Sequence, residues 1–177
     1  MLTPSLQLKE LLDDSTDAME SEDGESPLLT TTPRGADFIF GVSPIFEDLS
    51  FFHPPLSQVL HYWQVYLDNC EGLLKLIHTP TVNAIIQNVV RNDFHSLEKS
   101  DELLMFCFYF AAITSLTEDE VLRQFGQERT SLLERHELAI KHGLTRARFL
   151  QTQDLKVLQA LVLYLVCAIG IKEKRRC

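Results

Sequence analysis

The stretch Asp154–Ile171, DLKVLQALVLYLVCAIGI, decides how this chain is read, because from Leu161 to Ile171 it carries no charge and no strongly polar side chain. A helix that is apolar on every side cannot lie on a water-facing surface, so it must be enclosed by other helices or by lipid. Eleven residues of helix rise only about 16 Å, roughly half the hydrocarbon thickness of a bilayer. Lys156 and Gln159 block any extension of the run towards the N-terminus. The stretch is therefore expected to be the central helix of a helical core. The competing expectation is a tail anchor, with Leu155–Ile171 inserted in a membrane and KEKRRC following it.

A second run of the same kind lies upstream. Leu103–Ile113 is eleven consecutive apolar residues, and Asp101 and Glu102 ahead of it suit the positive end of a helix dipole, with Ser100 as its expected cap. No alternating stretch of strand length occurs. Two such helices in a chain of 177 residues predict an all-α, multi-helix array built around them.

Charge is unevenly distributed. Of the formal net charge of -9, residues 1–36 supply -6, eight acids (Glu10, Asp13, Asp14, Asp17, Glu20, Glu22, Asp23, Glu25) against Lys9 and Arg34. That segment is rich in Ser, Thr and Pro and too poor in aromatics to offset the entropy of ordering, so 1–36 is expected to be a disordered acidic tail ahead of a helical domain over 37–177. Leu6, Leu8, Leu11 and Leu12 beside Asp13 and Asp14 form an acidic-hydrophobic patch within it. No basic footprint for nucleic acid is present. The first thirty residues lack the apolar core of a secretory signal. Cys70, Cys107, Cys167 and Cys177 lie far apart without a CxxC pair, which predicts buried thiols rather than disulfides or a zinc site.

Asp13-Asp14-Ser15-Thr16-Asp17 spells DDxxD, the spacing with which terpene cyclases hold magnesium against a diphosphate, and Asn92, Asp93 and Ser96 imitate the start of their second motif. The imitation fails at position 100, where a carboxylate is needed and Ser100 stands. A magnesium-dependent cyclase is accordingly the weakest reading. His136 and His142 are six apart, about 240° around a helix, and not the four that place two imidazoles on one face.

Before the upstream apolar run, His53-Pro54-Pro55 stops any regular element. Leu56, Val59, Leu60, Trp63, Tyr66, Leu67 and Cys70 then repeat at helical spacing, with Ser57 as a candidate cap. A short helix is expected over Leu73–His78. Thr79-Pro80 reads as the cap and first residue of another helix, whose stripe is Val82, Ile85, Ile86, Val89 and Val90. The segment HPPLSQVLHYWQVYLDNCEGLLKLIHTPTV, preceded by ADFIFG, resembles the opening of the fungal-specific transcription factor domain, the regulatory middle region of zinc binuclear cluster transcription factors. In that family a His-Pro motif, a helical Trp, an Asn some six residues later and a Lys-x-x-His-x-Pro-Thr turn recur in order. Here they are His53-Pro54, Trp63, Asn69 and Lys75-Leu76-Ile77-His78-Thr79-Pro80-Thr81. Phe108–Ile113 with Ser115-Leu116-Thr117, and Leu155–Leu165, are similar to later helical blocks, so the resemblance covers roughly Asp37–Cys167. Read from the residues alone, Trp63 and His78 are core and turn side chains whose N–H groups need partners.

Thr117 and Glu120 form a capping box, and a long half-buried helix is expected from there to Gly143, its Glu128, Arg129, Glu134 and Arg135 forming a solvated face. A short helix over Leu144–Leu150 should follow, then Thr152 and Asp154 open the last one. Lys172, Lys174, Arg175 and Arg176 suit a helix C-terminus.

The resemblance implies a regulator of RNA polymerase II transcription, nuclear, non-enzymatic and acting through protein contacts. The family's DNA-binding module is a basic cluster of six cysteines around two zinc ions, which four scattered cysteines do not supply. Hence no catalytic, cofactor-binding, metal or DNA-binding residue is assigned, no cofactor is expected in this chain, and DNA targeting would come from a partner. A chain holding only the first half of that regulatory region is also expected to leave apolar helix area uncovered and to self-associate.

Overall fold

The computed structural model of the chain describes residues 48–174, with side chains through residue 170. The acidic tail, its Asp13 and Asp14, the ADFIFG segment, Phe46, Cys177 and the side chains of Lys172, Lys174, Arg175 and Arg176 lie outside the described residues. Within them there are helices and turns and no strand, as the two apolar runs predict.

Six helices follow one another: α1 (Leu56–Tyr66), α2 (Thr79–Asn92), α3 (Lys99–Ser115), α4 (Glu118–Phe125), α5 (Arg129–Arg146) and α6 (Leu155–Lys174). The enclosed centre is α3, buried continuously from Glu102 to Ile113. It is wrapped by α1, α5 and α6. Its apolar side chains point in every direction because neighbours stand on every side.

The helix read as central, α6, lies at the margin. Val157, Ala160, Leu163, Tyr164 and Cys167 are buried, while Leu155, Leu158, Val162, Leu165, Val166 and Ile169 are exposed. Hydrophobicity around the whole circumference specifies that a helix be covered, not by what, and only one side of α6 is covered by the described residues. Lys156, the charge that interrupts the apolar run, fastens its first turn to α3: Nζ lies 2.5 Å from Asp101 Oδ1 and 3.7 Å from Glu98 Oε2. Among the described residues no helix is long and apolar enough to cross a membrane.

Other boundaries differ from the sequence reading for local reasons. α1 does not stop before a separate helix over Leu73–His78. It runs through a π turn, Leu67–Glu71, and one further turn, Gly72–Leu74, before Lys75 adopts a left-handed backbone (φ 40°). α1 starts after Pro55 and α3 after Glu98, so neither Ser57 nor Ser100 is a cap. α2 begins one residue earlier than expected, with His78 before its first residue Thr79. The long helix expected from Thr117 is two helices, because Gly126 takes a left-handed φ of 69° and closes α4. The capping box that opens α4 is present, Thr117 Oγ1 accepting from the Glu120 amide and Glu120 Oε2 accepting from the Thr117 amide. α5 then passes through Gly143 without ending. A Cβ built there would stand 3.0 Å from Leu103 Cδ1, so this glycine lets α5 approach α3 closely.

Two arginines of the supposedly solvated face of α5 are structural. Arg129 Nε donates to the carbonyls of Leu116 (3.0 Å) and Ile113 (3.3 Å), and Nη2 to that of Thr114 (3.1 Å). A cation thus sits on the carbonyls at the C-terminal end of α3, where helical donors run out and the dipole is negative. Arg135 Nη2 donates to the Phe51 carbonyl at 2.7 Å and fixes the N-terminal loop, from which Leu49 and Phe52 enter the core. Replacing Arg129 by Ala removes three charge-assisted bonds, and a loss of about 1–3 kcal/mol is expected in urea denaturation, with an unchanged m-value.

Candidate functional site

The strongest concentration of interior polar groups lies where the N-terminal loop, α3 and the end of α5 meet. Glu102, placed in the first turn of α3, has a side chain 10% exposed and pairs through Oε2 with Arg146 Nη2 of α5. Its Oε1 is 3.5 Å from His53 Nε2. The His53 ring is sandwiched between Phe94 and Phe106, with ring centres 4.0 and 4.3 Å away, and Nδ1 stands 3.5 Å from the Tyr109 hydroxyl. Burial pushes the Glu102 carboxyl up, and His53 and Arg146 more than offset this, leaving it below the usual carboxylate range. Burial lowers the His53 pKa, with Glu102 opposing.

A carboxylate, an imidazole and a phenol in a row are also the ingredients of acid–base catalysis, but here they are enclosed. The His53 side chain is only 1% exposed. Aromatic rings cover both of its faces, which leaves no place for a reacting atom within reach of the pair. The cluster is a lock joining three segments. In the sequence alone Glu102 reads only as a dipole complement. Its signal, a carboxylate one residue ahead of a fully apolar run, was visible without showing what it would pair with.

The residues that carry the family resemblance prove to be fasteners of the same kind. His53 belongs to the lock. Trp63 Nε1, buried on α1, donates to Asn83 Oδ1 on α2 at 2.8 Å. Asn69, in the π turn, donates to Ser115 Oγ at the end of α3 at 3.0 Å. His78 is exposed, and its Nδ1 lies 2.8 Å from Thr81 Oγ1 across the Lys-x-x-His-x-Pro-Thr turn. His53, Trp63 and Asn69 join segments distant in the chain, and His78 closes the first turn of α2.

The weaker candidates come apart. Asp13 and Asp14 lie outside the described residues. Asp93 caps a short turn by accepting from the Phe94 amide, Ser96 Oγ donates to the Asp93 carbonyl, and Asn92 bonds Asn88, so all three hold a helix end. His136 and His142 are both buried, and no group of His, Cys, Asp or Glu among the described residues is arranged to hold a metal. Neither ring nitrogen of His136 has a hydrogen-bond partner there, and burial pushes its pKa down to about 3. Cys70, Cys107 and Cys167 are free and buried, and burial pushes Cys167 up to about 12. They are unreactive thiols.

One cavity of about 420 Å³ opens where α6 begins, lined by His78, Thr81, Leu104, Asp154, Leu155, Lys156 and Gln159. Its lining mixes two leucines with charged and polar side chains.

Comparison with known proteins supplies the class. No family profile and no solved structure matches the chain. Over 132 residues it is 34% identical to transcriptional regulator nsrM of Aspergillus novofumigatus, covering 75% of this chain and 18% of the regulator. Over 161 residues it is 32% identical to pyriculol/pyriculariol biosynthesis cluster transcription factor 1 of Pyricularia oryzae, covering 89% and 21% respectively. Over 153 residues it is 28% identical to C6 finger domain transcription factor adaR of Aspergillus niger, covering 86% and 19%. The chain is homologous to a segment of fungal C6 zinc-cluster transcription factors. It spans about a fifth of the length of the curated relatives it matches.

Proposed function

We propose that the chain is a transcription-regulating helical domain, over residues 37–177, which works in the nucleus by binding other proteins and performs no reaction. The observation that supports this is identity above 30% with fungal regulators over two thirds or more of the chain. The relative from Pyricularia oryzae is by name the factor of a biosynthesis gene cluster, and the same kind of target, a set of adjacent biosynthetic genes, is proposed here. The polar groups that resemble chemistry are consumed in holding helices together, which agrees with a domain that presents surfaces. Zinc and direct DNA contact are assigned to no residue of this chain, so targeting comes from a DNA-binding partner or segment.

Disruption of the gene, followed by transcript sequencing and imaging of a fluorescent fusion, tests this. Changes of several-fold or more in a contiguous group of transcripts, with nuclear fluorescence, are expected. Unchanged transcripts with fluorescence confined to the cytosol would count against it.

A further inference from the structure

The residue that closes α2 is held in an uncommon backbone. Asp93 has φ 64° and ψ 175°, a region that glycine enters freely and any other residue enters at a cost. Just past it, Phe94–Ser96 forms a single 3-10 turn. Phe94 is half-buried, and its ring is one of the two that sandwich His53, 4.0 Å away. His95 and Ser96 are exposed. The hydrogen bonds of the turn are local: the Phe94 amide donates to Asp93 Oδ1, Ser96 Oγ to the Asp93 carbonyl and the Leu97 amide to the Phe94 carbonyl. None of these three reaches α3 or the N-terminal loop. The other face of His53 is covered differently, by Phe106, which is fully buried within α3.

We propose that Phe94–Ser96 is a strained lid on the lock of Glu102, His53 and Arg146, and that it swings off His53 about Asp93 while the six helices stay folded. Opening sacrifices no hydrogen bond between the turn and α3, and it lets Asp93 relax to a negative φ, releasing the strain. Opposing it are the stacking of Phe94 on His53 and the return of a half-buried ring to water. Strain of this kind persists only where the surroundings enforce it. Here the enforcing contacts are one stacked ring and Leu97, partly buried against the core at the far end of the turn. The closed arrangement is thus a balance between a strained hinge and a small apolar contact, which places an open form within thermal reach. With the lid open, one face of His53 meets water and its pair with Glu102 is no longer enclosed. His53 ends the loop that carries Leu49 and Phe52 into the core, so the lid sets how firmly that loop is held. Arg135, bonded to the Phe51 carbonyl, is the tether that remains.

Relaxation-dispersion NMR of the full chain, read at backbone nitrogens and ring carbons, covers the microsecond-to-millisecond range in which such a segment moves. Phe94, Ser96 and the His53 ring should exchange at one common rate, with an open population between about 0.1 and 10%. The amide of Phe110, buried in α3, should show no such exchange. Asp93→Ala and Asp93→Gly both remove the Oδ1 acceptor, and only the alanine keeps the steric strain. The open population should therefore be about tenfold larger in Asp93→Ala than in Asp93→Gly. Flat profiles at Phe94 and His53 in the parent would overturn the proposal. Equal open populations in the two variants would overturn it as well. So would the same exchange at Phe110, since that marks unfolding of the whole domain and not of the turn.

Discussion

Glu102→Ala should lower the stability of the domain by about 3–5 kcal/mol, the cost of removing one partner from a buried ion pair. In a domain of this size that corresponds to a fall in melting temperature of roughly 10–20 °C. The cost is large because the carboxylate serves two segments at once. Without it, the Arg146 guanidinium, 12% exposed, loses the Glu102 carboxylate, and the sandwiched His53 loses the group its Nε2 faces. The isosteric Glu102→Gln keeps the shape and an acceptor and should cost less. The double variant Glu102→Ala, Arg146→Met should recover part of the loss, since a buried cation that has lost the Glu102 carboxylate is replaced by an apolar side chain. Thermal melts followed by circular dichroism read all four proteins. Equal melting points for the parent and Glu102→Ala would show that the lock contributes nothing.

The second large effect is acid sensitivity. His136 is neutral when folded, with its pKa pushed down to about 3 by burial, by the nearby Arg135 charge and by His53. Its ordinary value is about 6.5. The unfolded chain therefore binds a proton that the folded chain refuses between these values. Stability is fully present above pH 6.5 and is lost as pH falls, at about 1.4 kcal/mol per unit, reaching about 5 kcal/mol near pH 3. His53, His142 and Glu102 are shifted downward too, so each adds to the loss in the same direction. His136→Phe keeps a ring between Tyr62 and Tyr109 and removes the titration. Urea midpoints between pH 7 and pH 4 should fall steeply in the parent and less steeply in the variant. Parallel profiles would show that His136 takes no part.

Both effects depend on groups whose environment the linear chain only half discloses. The runs Leu103–Ile113 and Leu161–Ile171 point to a helical array, since each is longer than an ordinary strand and no alternating stretch accompanies them. They look alike in sequence, yet the described residues enclose α3 on every side and α6 on one side only. A side chain's apolar character states that water is unfavourable there and is silent about which neighbour excludes it. The caps show the same division. Thr117 and Glu120 act on each other within one turn, so their pairing was legible. Arg129 acts on carbonyls 13 to 16 residues behind it, and Arg135 on one 84 residues behind. Glu102, His53 and Arg146 are 44 or more residues apart, which left the lock unreadable before the helices were assembled. The motif residues His53, Trp63, Asn69 and His78 were recognisable as a set, and their geometry supplies a physical reason for the set: each fastens a crossing or a turn.

Gly143 sets one more condition, on how this sequence can drift over evolutionary time. A methyl group at this position, where α3 and α5 cross, would meet Leu103 Cδ1 at 3.0 Å, so a side chain there requires Leu103 to give way by a few tenths of an ångström. The two positions are expected to vary as a linked pair: a homologue that gains a side chain at one should have surrendered bulk at the other.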